Sequence, residues 1–337
     1  MRTNTHNHKQ NGKGEGISMS TGAADLVPRD SVLELLFEAL GPVRDILTDR
    51  DTTDIYVNDD GMLWVEKLGI GRVPTGMIIP EENAEMVIRL IASKTATTVT
   101  AKNPILSAEI PGDGSRFEGI IPPVTSRPVF AIRKRASKVI LLEQYVEQKV
   151  MSQVQCSCIK HAVESRKNIL VVGGTGSGKT TLVNAILAHI GQTQDHRILI
   201  LEDTQELQCP ARDKVFMRTA DGVSMTKLLK SCMRLRPDRI IVGETRGAEA
   251  LDMLKAWNTG HPGGVCTIHA NSAEQGLSRV MMCAREAGVD VQPVLIADAI
   301  DLIVFITREG TRRTVKEVLE VDGYDDRNGK YILKRIA

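Results

Sequence analysis

A glycine-rich stretch, GGTGSGKTT at residues 173–181, constrains the fold of this chain more than any other segment. It lies between the apolar run NILVV and the helical run KTTLVNAILAHI. It matches the pattern G-x-x-x-x-G-K-[ST] through Gly173, Gly178, Lys179 and Thr180, in the strand–loop–helix setting that the pattern requires. The stretch therefore predicts a nucleotide-binding turn between a buried strand and a helix.

Phosphate binding by such a turn depends on its backbone. Glycines let several N–H groups converge on phosphate oxygens without a clash from Cβ, and the helix N-terminus adds partial positive charge. The predicted phosphate-binding residues are Gly173, Gly174, Thr175, Gly176, Ser177, Gly178, Lys179, Thr180 and Thr181. We expect Lys179 to reach the β- and γ-phosphates as a catalytic group, and the Thr180 hydroxyl to ligate Mg²⁺. The expected ligands are therefore ATP and Mg²⁺.

Two later apolar runs end in carboxylates. LEDTQEL supplies Glu202, Asp203 and Glu206, and RPDRIIVGE ends at Glu244. Because the carboxyl ends of strands in a doubly wound sheet converge on the ligand, we expect these side chains near the loop. Many P-loop proteins carry Asp-Glu where this chain has Gly243 and its glutamate, so we assign the second Mg²⁺ ligand to Asp203. N-capping of the following helices is the alternative for Asp203, Glu206 and Glu244.

Two histidines lie in the stretch NTGHPGGVCTIHA. The spacing of His261 and His269 is not that of a helical metal pair, and no cysteine lies at zinc-site spacing. His269 ends a predicted strand on the γ-phosphate side, where an imidazole can hydrogen-bond to phosphate or to a carboxylate. A loop histidine with only local contacts is the alternative for His261.

The domain organisation follows from a change of pattern along the chain. The runs NILVVGG, RILILED, RIIVGE and GVCTIHA are apolar and alternate with helical runs, which is typical of a parallel sheet covered on both faces. We predict an α/β domain over residues 156–337, preceded by a linker over 141–155. Residues 26–140 combine a hairpin around NDDG with an amphipathic helix and further strands, an α+β domain. Residues 1–25 are polar and are predicted to be disordered.

Composition limits the classes of partner. The chain of 337 residues has 43 Lys+Arg against 42 Asp+Glu and only 3% aromatic residues. Proteins that track along nucleic acid normally use basic grooves and stacking rings, so direct sequence-specific nucleic-acid binding is disfavoured. No apolar run approaches the ~18 residues of a membrane-spanning helix. Any membrane contact is therefore expected to be peripheral.

Four segments in this order resemble the secretion traffic ATPases. They are the loop at 173–180, LEDTQEL, RPDRIIVGETRG and TGHPGGVCTIHA, and the likeness extends to GDGSRFEGIIPPV and FAIRKRA in the N-terminal half. Within that family, AWNTGHPGG followed by TIHAN is similar to the type IV secretion branch, in particular to its conjugal transfer ATPases. The tetracysteine zinc motif frequent in the type II branch does not occur in this sequence.

The resemblance implies a hexameric ring of P-loop, RecA-like C-terminal domains, each carrying a PAS-like N-terminal domain. It implies that Glu244 is the catalytic carboxylate, that Glu202 supports it and that His269 senses the phosphate. Arg116 and Arg133 fall in the N-terminal segments that clamp phosphates in such proteins. Further arginine candidates, some of them acting across the subunit boundary, are Arg135, Arg234, Arg236 and Arg246.

The resemblance also implies a role: a Mg²⁺-dependent ATPase that energises a type IV secretion or conjugative DNA transfer apparatus. Its partners would be further copies of the chain and inner-membrane subunits, and it would be cytoplasmic and peripherally associated with the inner membrane. Three alternatives remain open. They are an ATPase of Flp or type IV pilus assembly, a RecA-like nucleic-acid motor, and a nucleotide-gated scaffold that barely turns over.

Overall fold

The computed structural model describes residues 44–111, 114–135 and 139–336. The predicted tail, residues 1–25, and the first part of the predicted N-terminal domain, residues 26–43, lie outside these ranges. Two sheets organise the described chain, one of six strands and one of eight.

The first sheet is antiparallel throughout, in the strand order β3-β2-β1-β6-β5-β4. Its elements are α1 Arg44–Thr48, β1 Thr52–Val57, β2 Met62–Lys67, β3 Gly71–Ile78, α2 Glu81–Lys94, β4 Ile105–Glu109, β5 Arg116–Ile120 and β6 Val129–Arg133. The hairpin predicted around NDDG joins β1 to β2, and the predicted amphipathic helix is α2, which begins after Pro80.

One face of this sheet forms a core with α2. The helix buries Ala84, Val87, Ile88 and Ile91, a single stripe at helical spacing, against Ile55, Leu63, Phe117 and Ile132 of the strands. Strands β2, β3 and β5 alternate buried and more exposed positions, as expected when only one face of a sheet is covered. The other face of the sheet carries charged side chains such as Glu66, Arg116 and Arg133 together with apolar and aromatic ones such as Trp64 and Ile120.

The second sheet has the order β14-β13-β12-β7-β11-β10-β8-β9. Strands β12 to β9 in this order are parallel, and β13 and β14 extend one edge antiparallel. Its elements are α3 Leu142–Glu147, α4 Gln153–Glu164, β7 Ile169–Val172, α5 Lys179–Thr193, β8 Ile198–Glu202, β9 Lys214–Arg218, α6 Met225–Cys232, β10 Arg239–Val242, α7 Glu249–Asn258, β11 Val265–Ile268, α8 Ala273–Arg285, α9 Pro293–Ala299, β12 Leu302–Glu309, β13 Arg312–Asp325 and β14 Lys330–Arg335.

The central strands of this sheet are buried along their whole length. Every residue of β7, β8, β10 and β11 is buried, and successive side chains enter hydrophobic clusters on opposite faces. Helices α3, α4 and α5 cover one face, and α6 to α9 cover the other. The predicted parallel sheet covered on both faces is confirmed.

The predicted linker, residues 141–155, contains a helix. Leu142 and Tyr145 of α3, and Met151 after it, are buried in the cluster beneath the parallel sheet. The apolar residues of this stretch have helical spacing because they cover that sheet. Much of the stretch therefore packs as part of the second unit instead of forming an extended connection.

The amino ends of the parallel strands are held by a buried arginine. Arg239, at the start of β10, is fully buried and donates hydrogen bonds to His196 Nδ1 at 3.0 Å, the Gly263 carbonyl at 2.9 Å and the Val163 carbonyl at 2.7 Å, and also to the Gln194 amide oxygen. Burial lowers the pKa of this guanidinium to about 10, so it stays charged at neutral pH. These contacts join the ends of α4 and α5 to the loop before β11.

The six cysteines are free thiols, and five of them are buried. Burial raises the pKa of Cys232 to about 11 and that of Cys266 to about 12. These two thiols are therefore protonated packing groups at neutral pH. No helix within the described ranges combines the length and apolar character needed to cross a bilayer.

Candidate nucleotide-binding site

The loop between β7 and α5 can be formed only by glycine at several positions. Gly176 and Gly178 have φ of +70° and +98°, in the left-handed region that side chains disfavour. A Cβ at Gly173 would lie 2.3 Å from the Ile306 carbonyl oxygen. The hydroxyl of Ser177 is buried in the loop without a hydrogen-bond partner. The loop therefore has the close-packed backbone and the spare polar group that a phosphate site requires.

The Lys179 side chain folds over this loop. Its ammonium donates to the carbonyl oxygens of Gly173 at 2.9 Å and Gly174 at 3.1 Å. Burial lowers the pKa of Lys179 to about 8, and the carboxylates of Glu244 and Glu206 oppose that shift. An anion in the loop would replace the two neutral carbonyls by negatively charged acceptors and favour the charged lysine.

A series of contacts leads from Lys179 to the end of β10. The ammonium lies 3.4 Å from His269 Nδ1, and His269 Nε2 lies 2.7 Å from Glu244 Oε1. Burial, followed by the positive charge of Lys179, lowers the pKa of His269, so the imidazole is neutral at pH 7. The ammonium also lies 3.3 Å from Nε2, so we assign the imidazole proton to Nε2 from the Glu244 carboxylate alone. His269 thereby connects the phosphate loop to the catalytic candidate Glu244.

Arg246 neutralises the carboxylates at this strand end. Its guanidinium contacts Glu244 Oε2 at 2.8 Å and 2.5 Å, and lies 3.6 Å from Asp203 Oδ2. Asp203 also accepts a hydrogen bond from Thr219 at 3.2 Å, whereas the Thr180 hydroxyl donates to a different carboxylate, that of Glu206, at 3.3 Å. The structure therefore does not bring the predicted Mg²⁺ ligands Thr180 and Asp203 into contact.

The reason is a turn organised by Glu202. Its Oε1 accepts the backbone N–H groups of Glu206 and Leu207, both at 3.0 Å, which directs Glu206 toward the loop. Burial raises the pKa of Glu202 to about 7 against the effect of these hydrogen bonds. A Cβ at Gly243 would lie 2.7 Å from Glu202 Cγ. Gly243 therefore stands where many P-loop proteins have aspartate because Glu202 fills that space.

The N-terminal sheet contributes arginines from its open face. Arg116 and Arg133 are register partners on β5 and β6. Arg116 Nε lies 3.0 Å from Glu206 Oε1, the carboxylate that contacts Thr180 through its other oxygen. Arg133 Nε instead bonds Asp54 Oδ1 at 2.9 Å. Of the two predicted clamps, the structure brings Arg116 to the site and leaves Arg133 in a neighbouring ion pair.

Comparison with known proteins identifies the family. The sequence profile of the Type II/IV secretion system proteins matches residues 41–326. This chain belongs to that family. The conjugal transfer protein TrbB of Rhizobium radiobacter is 50% identical over 292 residues, which cover 86% of this chain and 90% of that protein. The type IV secretion system protein PtlH of Bordetella pertussis is 32% identical over 340 residues, 88% of this chain and 97% of PtlH.

Solved structures agree on the fold. The pilus retraction motor PilT with bound ADP superposes with a TM-score of 0.56 at 21% identity, over 90% of this chain and 82% of PilT. The Legionella pneumophila ATPase DotB gives 0.55 at 17% identity, over 93% and 82%. The predicted fold class, a P-loop α/β domain with an α+β N-terminal domain, is confirmed. The protein is a type IV secretion ATPase, an ATP-hydrolysing enzyme.

Several predicted residues of the secretion ATPase lie away from the loop. Arg135 follows β6 beside the turn that precedes β5. Arg234 and Arg236 are exposed in the segment before β10, at the opposite end of the parallel strands from the glycine loop. His261 Nδ1 lies 3.3 Å from the Ala256 carbonyl, a local contact at the end of α7. None of these four side chains belongs to the phosphate site of its own subunit as the structure shows it.

Two further arginines of the secretion ATPase adjoin the loop, and the sequence interpretation missed them. A Cβ at Gly176 would lie 3.4 Å from Arg308 Nη1, and one at Gly178 would lie 3.1 Å from Arg313 Cδ. A signal was available in the segment ITREGTRRTV, which places arginines on both sides of a glycine turn. It pointed to the site only once β12 was known to run parallel to β7.

Proposed function

We propose that this protein is the Mg²⁺-dependent ATPase of a conjugative type IV secretion apparatus. The observation that supports the chemistry best is the contact series from Lys179 through His269 to Glu244, which begins in the glycine loop. A cation, a neutral imidazole and a carboxylate in such a series would supply the charge stabilisation and the oriented water that phosphoryl transfer needs. The 50% identity to a conjugal transfer protein supports the biological role.

Hydrolysis would be an in-line attack of water on the γ-phosphorus of ATP. A new bond forms between the water oxygen and phosphorus, the bond to the β–γ bridging oxygen breaks, and ADP and inorganic phosphate leave. Glu244 orients the water, and Lys179 exchanges its two carbonyl acceptors for phosphate oxygens. His269 loses its lysine contact in that exchange and so reports phosphate occupancy to Glu244.

The residues at the start of α5 suit a hard divalent cation. The Thr180 hydroxyl and the Glu206 carboxylate, 3.3 Å apart, are oxygen donors of the kind that Mg²⁺ prefers. Mg²⁺, when bound, neutralises charge on the β- and γ-phosphates. We assign the protein ligands to Thr180 and Glu206, with Asp203 held back by Arg246.

Coupling to movement would pass through the N-terminal sheet. Arg116 crosses from that sheet to Glu206, so it lies where the phosphates of bound ATP would attract it, with Arg133 beside it. Closure of the N-terminal domain over ATP and its release after hydrolysis would be the power stroke. Six copies in a ring would act together, with Arg234 or Arg236 facing a neighbouring subunit. The ring would work in the cytoplasm, against inner-membrane subunits of the apparatus.

The decisive test compares two lysine variants in steady-state phosphate release with and without Mg²⁺. Lys179→Ala should abolish hydrolysis, whereas Lys255→Ala, an exposed lysine on α7, should retain it. Turnover by Lys179→Ala at the wild-type rate would contradict the proposal.

Restoration of conjugation, but not of piliation, in deletion strains separates this role from pilus assembly. Strong stimulation by single-stranded DNA would favour a nucleic-acid motor, and six-fold particles with ATP would support the ring.

A further inference from the structure

The hairpin β12–β13 places two arginines side by side against the glycine loop. Arg308 and Arg313 are register partners across this hairpin. Phe305 of β12 pairs with Val172, the last residue of β7, so Arg308 extends β12 to the level of the loop that follows. A Cβ at Gly176 would lie 3.4 Å from Arg308 Nη1, and a Cβ at Gly178 would lie 3.1 Å from Arg313 Cδ. These side chains therefore form one wall of the phosphate loop.

The charges of this wall do not balance. Arg308 Nη1 lies 2.6 Å from Glu66 Oε1, and both side chains are largely buried, with exposed fractions of 27% and 15%. Arg313 is half-buried and forms no ion pair with a carboxylate in the part of the chain that the structure describes. Burial, and then the charge of Arg308, lowers the pKa of Arg313, and the carboxylate of Glu66 opposes that shift only in part. Among the residues that the structure describes, one carboxylate thus faces two guanidinium groups, one fewer negative charge than the wall has positive charges.

We propose that Arg308 and Arg313 bind the phosphates of the nucleotide in the glycine loop, and that Glu66 competes with those phosphates for Arg308. A guanidinium binds phosphate through charge-assisted, often bidentate hydrogen bonds. A polyphosphate has enough negatively charged oxygens to bind both arginines, which a single carboxylate does not.

The competition connects nucleotide binding to the position of the N-terminal sheet. Glu66 belongs to β2 and Arg308 to β12, 242 residues later, so their ion pair joins the two sheets beside the loop. When the nucleotide binds Arg308, the ion pair between Arg308 and Glu66 breaks. The pair forms again when ADP or phosphate leaves. The two arginines add a second cationic group on the opposite side of the loop from Glu244 and His269, because β12 lies on one side of β7 and β11 and β10 lie on the other.

This inference rests on the proposed nucleotide site, so the experiment reports on each separately. Binding of a fluorescent, non-hydrolysable ATP analogue to the full chain is measured for five forms: wild type, Glu66→Gln, Arg308→Gln, the double variant and Arg313→Gln. We expect Glu66→Gln to tighten binding about fivefold, and each arginine variant to weaken it about tenfold, a change of ~1.4 kcal/mol. In the Arg308→Gln background, Glu66→Gln should not change the affinity for the analogue, because the guanidinium for which Glu66 competes is absent.

A matched control exists at the other end of the sheet. Arg218 Nη1 and Glu109 Oε2 form a similar ion pair between the two sheets at 3.1 Å, but Arg218 is on β9, four strands from β7. Glu109→Gln should leave the affinity unchanged. Thermal unfolding of every variant checks that a variant with weak binding is still folded. Arg308→Lys keeps the positive charge and tests whether the bidentate guanidinium is needed as well.

The outcomes separate the two proposals. Wild-type protein that binds no analogue in the presence of Mg²⁺ overturns the nucleotide site and this inference together. Binding by wild type with no tightening in Glu66→Gln, or equal tightening in the Arg308→Gln background, overturns the inference alone. Equal tightening by Glu109→Gln would show a general loosening between the sheets and would overturn it as well.

Discussion

The two sheets of this ATPase supply functional groups in different ways. The parallel sheet is buried on both faces, so its candidate catalytic side chains lie beyond the strand ends: Lys179, Glu244 and His269. The antiparallel sheet has one face free of its own helix, and Arg116 and Glu66 come from within its strands. A sheet covered on both faces presents functional side chains mainly at the ends of its strands, whereas a half-covered sheet can also present charged side chains from its open face.

After the loss of hydrolysis expected for Lys179→Ala, the largest effect should come from Glu244, which follows β10. Glu244→Gln keeps the shape of the side chain but removes the charge that orients water, so we expect kcat to fall about 10²–10³-fold with nucleotide affinity nearly unchanged. Phosphate release and analogue binding measure the two quantities. Glu274→Gln, on the exposed first turn of α8, is the control. A small loss in kcat would move the catalytic role away from this strand end.

One valine-to-alanine substitution in each sheet tests the difference in burial between the parallel and the antiparallel sheet. Val265 is buried on β11, and Val129 is half-buried on β6. Val265→Ala should reduce the free energy of unfolding by about 2–3 kcal/mol, because the surrounding layer cannot close the cavity, and Val129→Ala by less than about 1 kcal/mol. Urea denaturation measures both. Equal losses would mean that the open face is covered more tightly than the structure shows.

Glu202, the buried glutamate at the end of β8, should make the free energy of unfolding depend on pH. The pKa of Glu202 is about 7 in the folded chain against an ordinary value of 4.5. The folded state holds this proton more tightly, so wild type loses stability as pH rises from about 4.5 through 7. Glu202→Gln cannot ionise and should lack this loss, gaining about 2 kcal/mol over wild type between pH 5 and pH 8. Parallel pH profiles from urea denaturation would contradict the assignment.

The smallest effects should come from the open face of the N-terminal sheet. Arg116→Gln removes the contact to Glu206 and should lower kcat/KM about tenfold, the size of a partly exposed charged contact to phosphate. Arg133→Gln should lower it about threefold, since Asp54 already engages that side chain. Steady-state kinetics of both variants rank the two arginines. The reverse order would show that Arg133 leaves Asp54 when nucleotide binds.

Sequence reasoning succeeded where the pattern was local. Apolar runs such as RILILED and RIIVGE predict buried parallel strands, and the glycine loop requires its own strand and helix. Strands β3, β4, β9 and β14 were not found, because each lies at a sheet edge and has at most one buried residue. Edge strands leave little apolar signal in a sequence.

The site was harder to predict because contacts distant in sequence decide it. The choice between Asp203 and Glu206 depends on backbone hydrogen bonds to Glu202, which no periodicity reveals. The pairing of Arg308 with Glu66 joins residues 242 positions apart. Residue types at strand ends could be predicted, but the direction of each side chain could not.

The anchoring of Arg239 has a consequence for the rigidity of the parallel sheet at the end opposite the glycine loop. Shifting any of its four acceptors would strand a buried positive charge, at a cost of several kcal/mol. The amino ends of β10 and its neighbours are thereby held in fixed positions relative to α4, α5 and the loop before β11, so sliding of one of these elements past another is disfavoured.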